Sequence, residues 1–199
     1  MDWIIHHLNL VIEIFGAVTG LIYLYFSIRQ NIWLWPLGIF TSSVYIYVFF
    51  VSKFYADMGL QGYYLVVSIY GWYHWLHGAS GNRSDELPVS RTSRRQWVVL
   101  LIITLVLFVL MAWVLERFTD SDVPRWDAFT TAASITATWM LARKLLEHWL
   151  IWVVVDAVSM GLYVYKGLYP TVGLFAVYTL MAVKGYVEWK KDLLQQNKV

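Results

Sequence analysis

The chain holds 199 residues, of which 59% are hydrophobic and 14% charged, against about 45–50% and about 25% in ordinary soluble domains. A soluble globule of this size cannot hide that much apolar surface, so the natural solvent is lipid, and the formal charge of +2 is too small and scattered to argue for a nucleic-acid partner. The absence of cysteine excludes disulfides, thiolate zinc sites, cysteine nucleophiles and iron–sulfur clusters.

A membrane span needs roughly 20 apolar residues. Segments 8–27, 33–51, 58–77, 97–115, 127–142, 147–165 and 171–189 meet that standard and predict seven transmembrane helices. The first lacks a basic leader and carries Glu13 within it, which argues for a retained span rather than a cleaved signal. Most joints are short, such as Arg29-Gln30-Asn31 and Arg143-Lys144, and only 78–96 and 116–126 are long. Seven spans put the termini on opposite sides. Lys53, Arg117, Arg125 and Lys166 fall on the N-terminal side. Arg29, Arg83, Arg91, Arg94, Arg95, Arg143, Lys144, Lys190, Lys191 and Lys198 fall on the other. The positive-inside rule then predicts an outside N-terminus and a cytoplasmic C-terminus.

Shifting the chain against itself by 114 residues aligns Arg29 with Arg143, Trp35 with Trp149, Tyr55 with Tyr169, Leu60 with Leu174, Tyr64 with Tyr178, Gly71 with Gly185 and Trp75 with Trp189, and sets Glu13 opposite Asp127. Such self-similarity predicts two copies of a three-helix unit. The fourth span, whose interior is apolar apart from Thr104, returns the chain to the starting side and gives both copies the same orientation. The expectation is an all-α, 3+1+3 membrane protein forming a single domain over 1–199, with repeat one at 8–77, a lipid-facing connector at 97–115 and repeat two at 127–189. In folds with parallel repeats, substrate commonly binds near mid-membrane where the repeats meet.

Residues three and four apart share a helix face. That spacing groups Glu13, Gly16, Gly20 and Tyr23 in the first span, Trp35, Gly38, Ser42, Tyr45 and Phe49 in the second, and Asp57, Gln61, Tyr64, Ser68, Gly71, Trp72 and Trp75 in the third. It groups Trp149, Trp152, Asp156, Ser159 and Tyr163 in the sixth, and Thr171, Phe175, Tyr178, Ala182, Gly185 and Trp189 in the seventh. Helix packing accounts for Gly and Ser on such stripes, but explains Gln61 and Asp156 poorly. A mid-span carboxylate costs about 2.5–3.5 kcal/mol on insertion scales and usually faces a cavity, which assigns Asp156 to a substrate path. Glu13 and Asp127 are either a matched pair of gates or helix caps. Lys184, one turn before Glu188, reads as a snorkelling side chain. His6, His7, His74, His77 and His148 read as interfacial, with no metal-site spacing among them. No phosphate-cradling loop or Ser-His-Asp arrangement is present, and neither an enzymatic activity nor a cofactor is expected.

Phe54-Tyr55-Ala56-Asp57, Leu60-Gln61 and Ile69-Tyr70-Gly71-Trp72-Tyr73-His74-Trp75, with Arg143-Lys144, Glu147-His148-Trp149 and the Trp152/Asp156 pair of the second copy, resemble the signature of the PnuC family of bacterial vitamin transporters. The resemblance covers essentially the whole chain. It implies facilitated diffusion of a B-vitamin or precursor across the inner membrane, trapping by a cytoplasmic kinase, and homotrimers. It implies nicotinamide riboside as the default substrate, with thiamine nearly level and riboflavin after it. Thr41, Ser68 and Asp156 stand where members specific for nicotinamide riboside tend to carry Asn. Asp156 accepts hydrogen bonds without donating, which favours a cation or a ring bearing donors, and aromatic walls favour cationic rings through cation–π attraction. The expected substrate-binding set is Trp35, Thr41, Ser42, Tyr45, Gln61, Tyr64, Ser68, Trp72, Trp149, Trp152, Asp156, Ser159 and Tyr178. A retinal protein with Lys184 as its Schiff-base lysine and a membrane enzyme are the rival classes; the first lacks a mid-span lysine beside a counter-ion, the second any catalytic constellation.

Overall fold

The computed structural model describes residues 2–51, 53, 55–78 and 87–196, and the side chains within that range except those of 2–13, 55 and 56. The side chains of Glu13, His6, His7 and Tyr55, together with residues Phe54, Arg83 and Lys198, therefore lie outside the described residues. Among the described residues there are seven α-helices: α1 (Asp2–Ile28), α2 (Leu34–Val51), α3 (Tyr55–His77), α4 (Arg94–Phe118), α5 (Pro124–Ala142), α6 (His148–Tyr165) and α7 (Tyr169–Gln196). By length and composition α2, α4, α6 and α7 are each apolar enough to cross a membrane. Each of the seven expected spans falls within one helix or starts a residue before it. The larger differences are at α1 and α7, which extend beyond the apolar segments through flanking polar residues.

Among the described residues four have positive φ: Gln30 (51°), Lys53 (62°), Lys144 (50°) and Gly167 (71°). Each lies two residues beyond a helix, after α1, α2, α5 and α6 respectively. There a left-handed residue turns the chain so that following amides can satisfy the last helical carbonyls. The Gly167 amide donates to Val164 O at 3.1 Å and the Leu168 amide to Tyr163 O at 2.9 Å. The amides of Gln30 and Asn31 donate in the same way to Ser27 O and Phe26 O, and those of Lys144 and Leu145 to Leu141 O and Met140 O. Gln30 and Lys144 are related by the offset of 114, and so are Lys53 and Gly167.

The chain divides into two compact units, Met1–Tyr73 and His74–Val199, with the boundary inside α3. In the first unit α2 lies between glycines of its neighbours. A Cβ on Gly16 of α1 would collide with the Tyr45 hydroxyl, and one on Gly71 of α3 would collide with the Trp35 ring. In the second unit α4, α5, α6 and α7 pack successively on one another. The alanines and hydroxyl residues of α5, with Ala128, Ala132, Ala133, Thr136 and Ala137 all buried, let α4 and α6 approach it from either side. The connector α4 thus belongs to the second unit. Most of its circumference is exposed apolar surface, while Leu100 is buried and the Thr104 hydroxyl lies 2.6 Å from that of Thr136 on α5.

The segment before α4 is strapped to the α5–α6 joint. The Ser90 amide donates to Lys144 O at 3.0 Å and the Leu146 amide to Ser90 O at 2.9 Å. The Thr92 amide and hydroxyl both donate to Glu147 Oε2 at 2.8 Å. Ser93 and Gln96 then start α4 with reciprocal bonds, the Ser93 amide donating to Gln96 Oε1 at 2.8 Å and the Gln96 amide to Ser93 Oγ at 3.3 Å.

Candidate functional site

In the first unit the candidates divide into packing groups and polar groups without partners. Trp35 is fully buried, its indole filling the notch left by Gly71. The Thr41 hydroxyl is used within its helix, donating to Leu37 O at 2.8 Å. Tyr45 stacks on Phe49 at a centroid distance of 5.7 Å and tilts against Phe15 at 6.2 Å. Tyr64 meets Tyr63 edge-on at 5.6 Å, Gln61 is half-buried, and Trp72 is largely exposed on its helix. Ser42 and Ser68 differ from these. Both are buried, Ser68 faces Gly38 of α2, and neither hydroxyl has a hydrogen bond among the described residues.

The second unit repeats the division. Trp149 is buried in the notch of Gly185, 36 residues further on, as Gly71 is from Trp35. Its ring packs at 4.5 Å from His148 and 5.7 Å from Trp189. Its indole N–H, wholly enclosed, has no acceptor among the described residues. These contacts correct the interfacial reading of His148, which is fully buried and held by a 2.7 Å bond between Nδ1 and Leu145 O. In the same cluster the joint residue Lys144 is buried, 2% exposed, with its ammonium 4.4 Å from the Trp75 ring centroid.

Asp156 lies on α6 one turn beyond half-buried Trp152, at the position related by 114 to Ser42. It is 5% exposed, and its carboxylate has neither a hydrogen bond nor an ion pair among the described residues. Ser159, one turn further, is likewise buried without a hydrogen bond. Two other buried hydroxyls on helices of this unit donate to the carbonyl four residues back, Ser134 to Thr130 and Thr138 to Ser134. A buried polar group without a partner carries the full cost of its lost hydration, so Asp156 and Ser159 stand out as groups that a ligand or water must satisfy. Beyond them α6 and α7 carry an aromatic ladder, with Tyr163 to Phe175 at 5.0 Å and Phe175 to Tyr178 at 5.4 Å.

Of the gate candidates, the Asp127 carboxylate accepts from the Ser121 hydroxyl at 2.6 Å, and the Val123 amide donates to the same hydroxyl at 3.3 Å, which secures the turn into α5. Among the described residues no group of three or more His, Asp or Glu side chains is placed to hold a metal.

The sequence profile of the nicotinamide mononucleotide transporter family matches residues 10–191. The chain belongs to this family. It is similar to the nicotinamide riboside transporter PnuC of Escherichia coli, at 23% identity over 89% of this chain and 84% of that protein. It is also similar to the riboflavin/roseoflavin transporter RibM of Streptomyces davaonensis, at 24% identity over 89% of this chain and 83% of that one. A crystal structure of the vitamin B3 transporter PnuC superposes with a TM-score of 0.69 at 24% identity, covering 90% of this chain and 80% of the other. That likeness establishes the helical fold, and the family match over residues 10–191 places Asp156 and Ser159 in a membrane transporter.

Proposed function

We propose that this transporter carries nicotinamide riboside, a cationic aromatic nucleoside, by facilitated diffusion, and that Asp156 recognises it. The observation that carries the reading is the buried, unpartnered carboxylate of Asp156 beside the hydroxyl of Ser159 and half-buried Trp152. A carboxylate can accept from ribose hydroxyls or face the pyridinium charge, and an indole can stack on the ring. The PnuC relatives support the same substrate. The RibM relative favours riboflavin as the second reading, in which Asp156 accepts from ribityl hydroxyls. Ser42 and Ser68 make the equivalent offer in the first unit, alongside Gln61, Tyr64 and Tyr45.

Further features follow from this reading. The matched left-handed positions and the matched Trp–Gly notches support a 3+1+3 chain of parallel repeats. The distribution of basic residues supports an outside N-terminus and a cytoplasmic C-terminus in the bacterial inner membrane. A carrier without an energy source needs a cytoplasmic kinase to trap its substrate, and assembly as a homotrimer belongs to the same reading; cross-linking in native membranes tests the trimer.

The experiment is a tryptophan-fluorescence titration of the purified protein with nicotinamide riboside, riboflavin and thiamine side by side, repeated with Asp156→Ala. Loss of a hydrogen bond to a charged group, about 1.5–3 kcal/mol, weakens binding roughly tenfold or more. Nicotinamide riboside binding that is unchanged in Asp156→Ala refutes the role of the carboxylate, and binding of riboflavin alone establishes the second reading. Uptake into liposomes loaded with a trapping kinase proceeds without a proton or sodium gradient; gradient dependence refutes facilitated diffusion.

A further inference from the structure

A groove of about 310 Å3 runs between α4, α5 and α6, walled by Trp97, Leu101, Phe129, Ala133, Leu150 and Val154 among others. Leu101, Leu150 and Val154 are exposed, so the groove opens on the lipid side of the second unit. Its polar groups satisfy one another: the Thr104 hydroxyl donates to Leu100 O at 2.7 Å and accepts from the Thr136 hydroxyl at 2.6 Å. Nothing in it offers a hydrogen bond to a polar solute, which separates it from the face carrying Asp156. From Trp97 to Thr104 it runs seven residues along α4, about 10 Å at about 1.5 Å per residue, well within a half-bilayer of about 15 Å of hydrocarbon.

One end of the groove is basic. Helical spacing carries the groove face of α4 from Thr104 through Leu101 and Trp97 to Arg94, and that of α5 from Phe129 through Ala133 and Thr136 to Arg143. Arg91, Arg94 and Arg95 are all exposed, and none has an ion pair or side-chain hydrogen bond among the described residues. The carboxylate at this joint, Glu147, is already engaged by Thr92, whose bonds together with the Ser93–Gln96 cap hold the backbone that bears the arginines. Two copies of the chain with the same membrane orientation would bring these basic ends to the same level. A second copy would bring its own basic cluster to that level, whereas an anionic headgroup brings the counter-charge.

We propose that this groove seats an acyl chain of an anionic phospholipid whose phosphate is held by Arg94 with Arg91 and Arg95. The site is separate from substrate recognition and does not depend on which vitamin is carried. The test is native mass spectrometry of the full-length protein, purified in mild detergent and titrated with phosphatidylglycerol and phosphatidylcholine of equal chain length, with inorganic phosphate as the chainless competitor. Phosphatidylglycerol is expected to be retained at least fivefold better than phosphatidylcholine. Replacing Arg91, Arg94 and Arg95 together by alanine abolishes that preference. Val154→Trp, an exposed position at the groove wall, reduces retention of phosphatidylglycerol without changing the oligomeric state, and inorganic phosphate does not compete. Equal retention of the two lipids by the unaltered protein overturns the proposal. Displacement by inorganic phosphate overturns it in favour of a headgroup-only site. A Val154→Trp protein that keeps its phosphatidylglycerol but changes its oligomeric state overturns it in favour of an interface between copies.

Discussion

Gly185→Ala tests the Trp–Gly notch most directly. A Cβ at residue 185 would stand 2.5 Å from Trp149 Cζ2, 2.6 Å from Cε2 and 2.7 Å from Cη2, whereas non-bonded carbons sit comfortably at about 3.5–4.0 Å. One partner must therefore move by about 1 Å. The indole has no room to do so, because His148 lies 4.5 Å from its centroid and Trp189 5.7 Å away, both fully buried. Overpacking of this kind costs about 1–3 kcal/mol. It outweighs the gain of up to about 1 kcal/mol from replacing Gly by Ala in a helix. At about 2–4 °C per kcal/mol for a chain of this length, the thermal midpoint in detergent falls by several degrees. Gly161→Ala is the control. Gly161 is also helical but has nothing within 4 Å of its Cβ position, and its replacement leaves the midpoint unchanged or slightly raised. Trimming the ring with Trp149→Phe rescues Gly185→Ala, giving a double-mutant coupling of about 0.5–3 kcal/mol. If Gly185→Ala melts with the unaltered protein, or if the two substitutions add without coupling, the ring is not lodged against the glycine and the packing account is wrong. Gly71 and Trp35 repeat the test in the first unit.

Lys53→Gly relieves a left-handed residue where the repeat-related position is already Gly167. An ordinary residue in that conformation costs about 1–2 kcal/mol, so the variant melts higher, by less than that amount because glycine also loosens the unfolded chain; a lower midpoint rejects the account. Thr104→Val and Thr136→Val probe the hydroxyl contact between α4 and α5. A double-mutant cycle should give about 0.6 kcal/mol of coupling and no more than about 1.7, and zero coupling separates the connector from α5. Glu147→Ala removes the acceptor of both Thr92 bonds, each a charge-assisted bond of about 1.5–3 kcal/mol. Trypsin cleavage after Arg91, read by fragment mass, then accelerates about tenfold or more where opening is fast relative to cleavage. An unchanged rate shows that the strap is held by something else.

Helix positions were legible because long apolar runs broken by Arg29-Gln30-Asn31 or Arg143-Lys144 leave few alternatives. The turns were not legible. Three of the four left-handed positions carry Gln or Lys, and only Gly167 announces its conformation. His148 was misread for another reason: its burial comes from Trp189, which lies far away in sequence, and the burial of Lys144 against Trp75 has the same origin. The strap showed only its local part, since Ser93 and Gln96 have capping-box spacing whereas the bonds of Ser90 and Thr92 reach the α5–α6 joint.

The site divides along the same line between local and distant interactions. Asp156 stands out in the sequence by the cost of placing a carboxylate in mid-span, and in the structure it is buried without a hydrogen bond or ion pair among the described residues. Trp35 and Trp149 were grouped with it because helical spacing records that residues share a face and not what the face meets. The informative signal was Gly71 and Gly185 standing 36 residues after each tryptophan, a pairing that favours packing. Serine shows what helical spacing tells and what it leaves out. Ser42 and Ser43 are adjacent and chemically identical, and spacing puts only Ser42 on the polar stripe. Ser43 is exposed and donates to Ile39 O at 2.7 Å, while Ser42 is buried with no hydrogen bond among the described residues. A hydroxyl that bonds its own helix can face lipid at little cost, and one that does not must find a partner elsewhere. Spacing singles out the serine but not its missing hydrogen bond, and the missing bond is what turns a polar stripe into a candidate site.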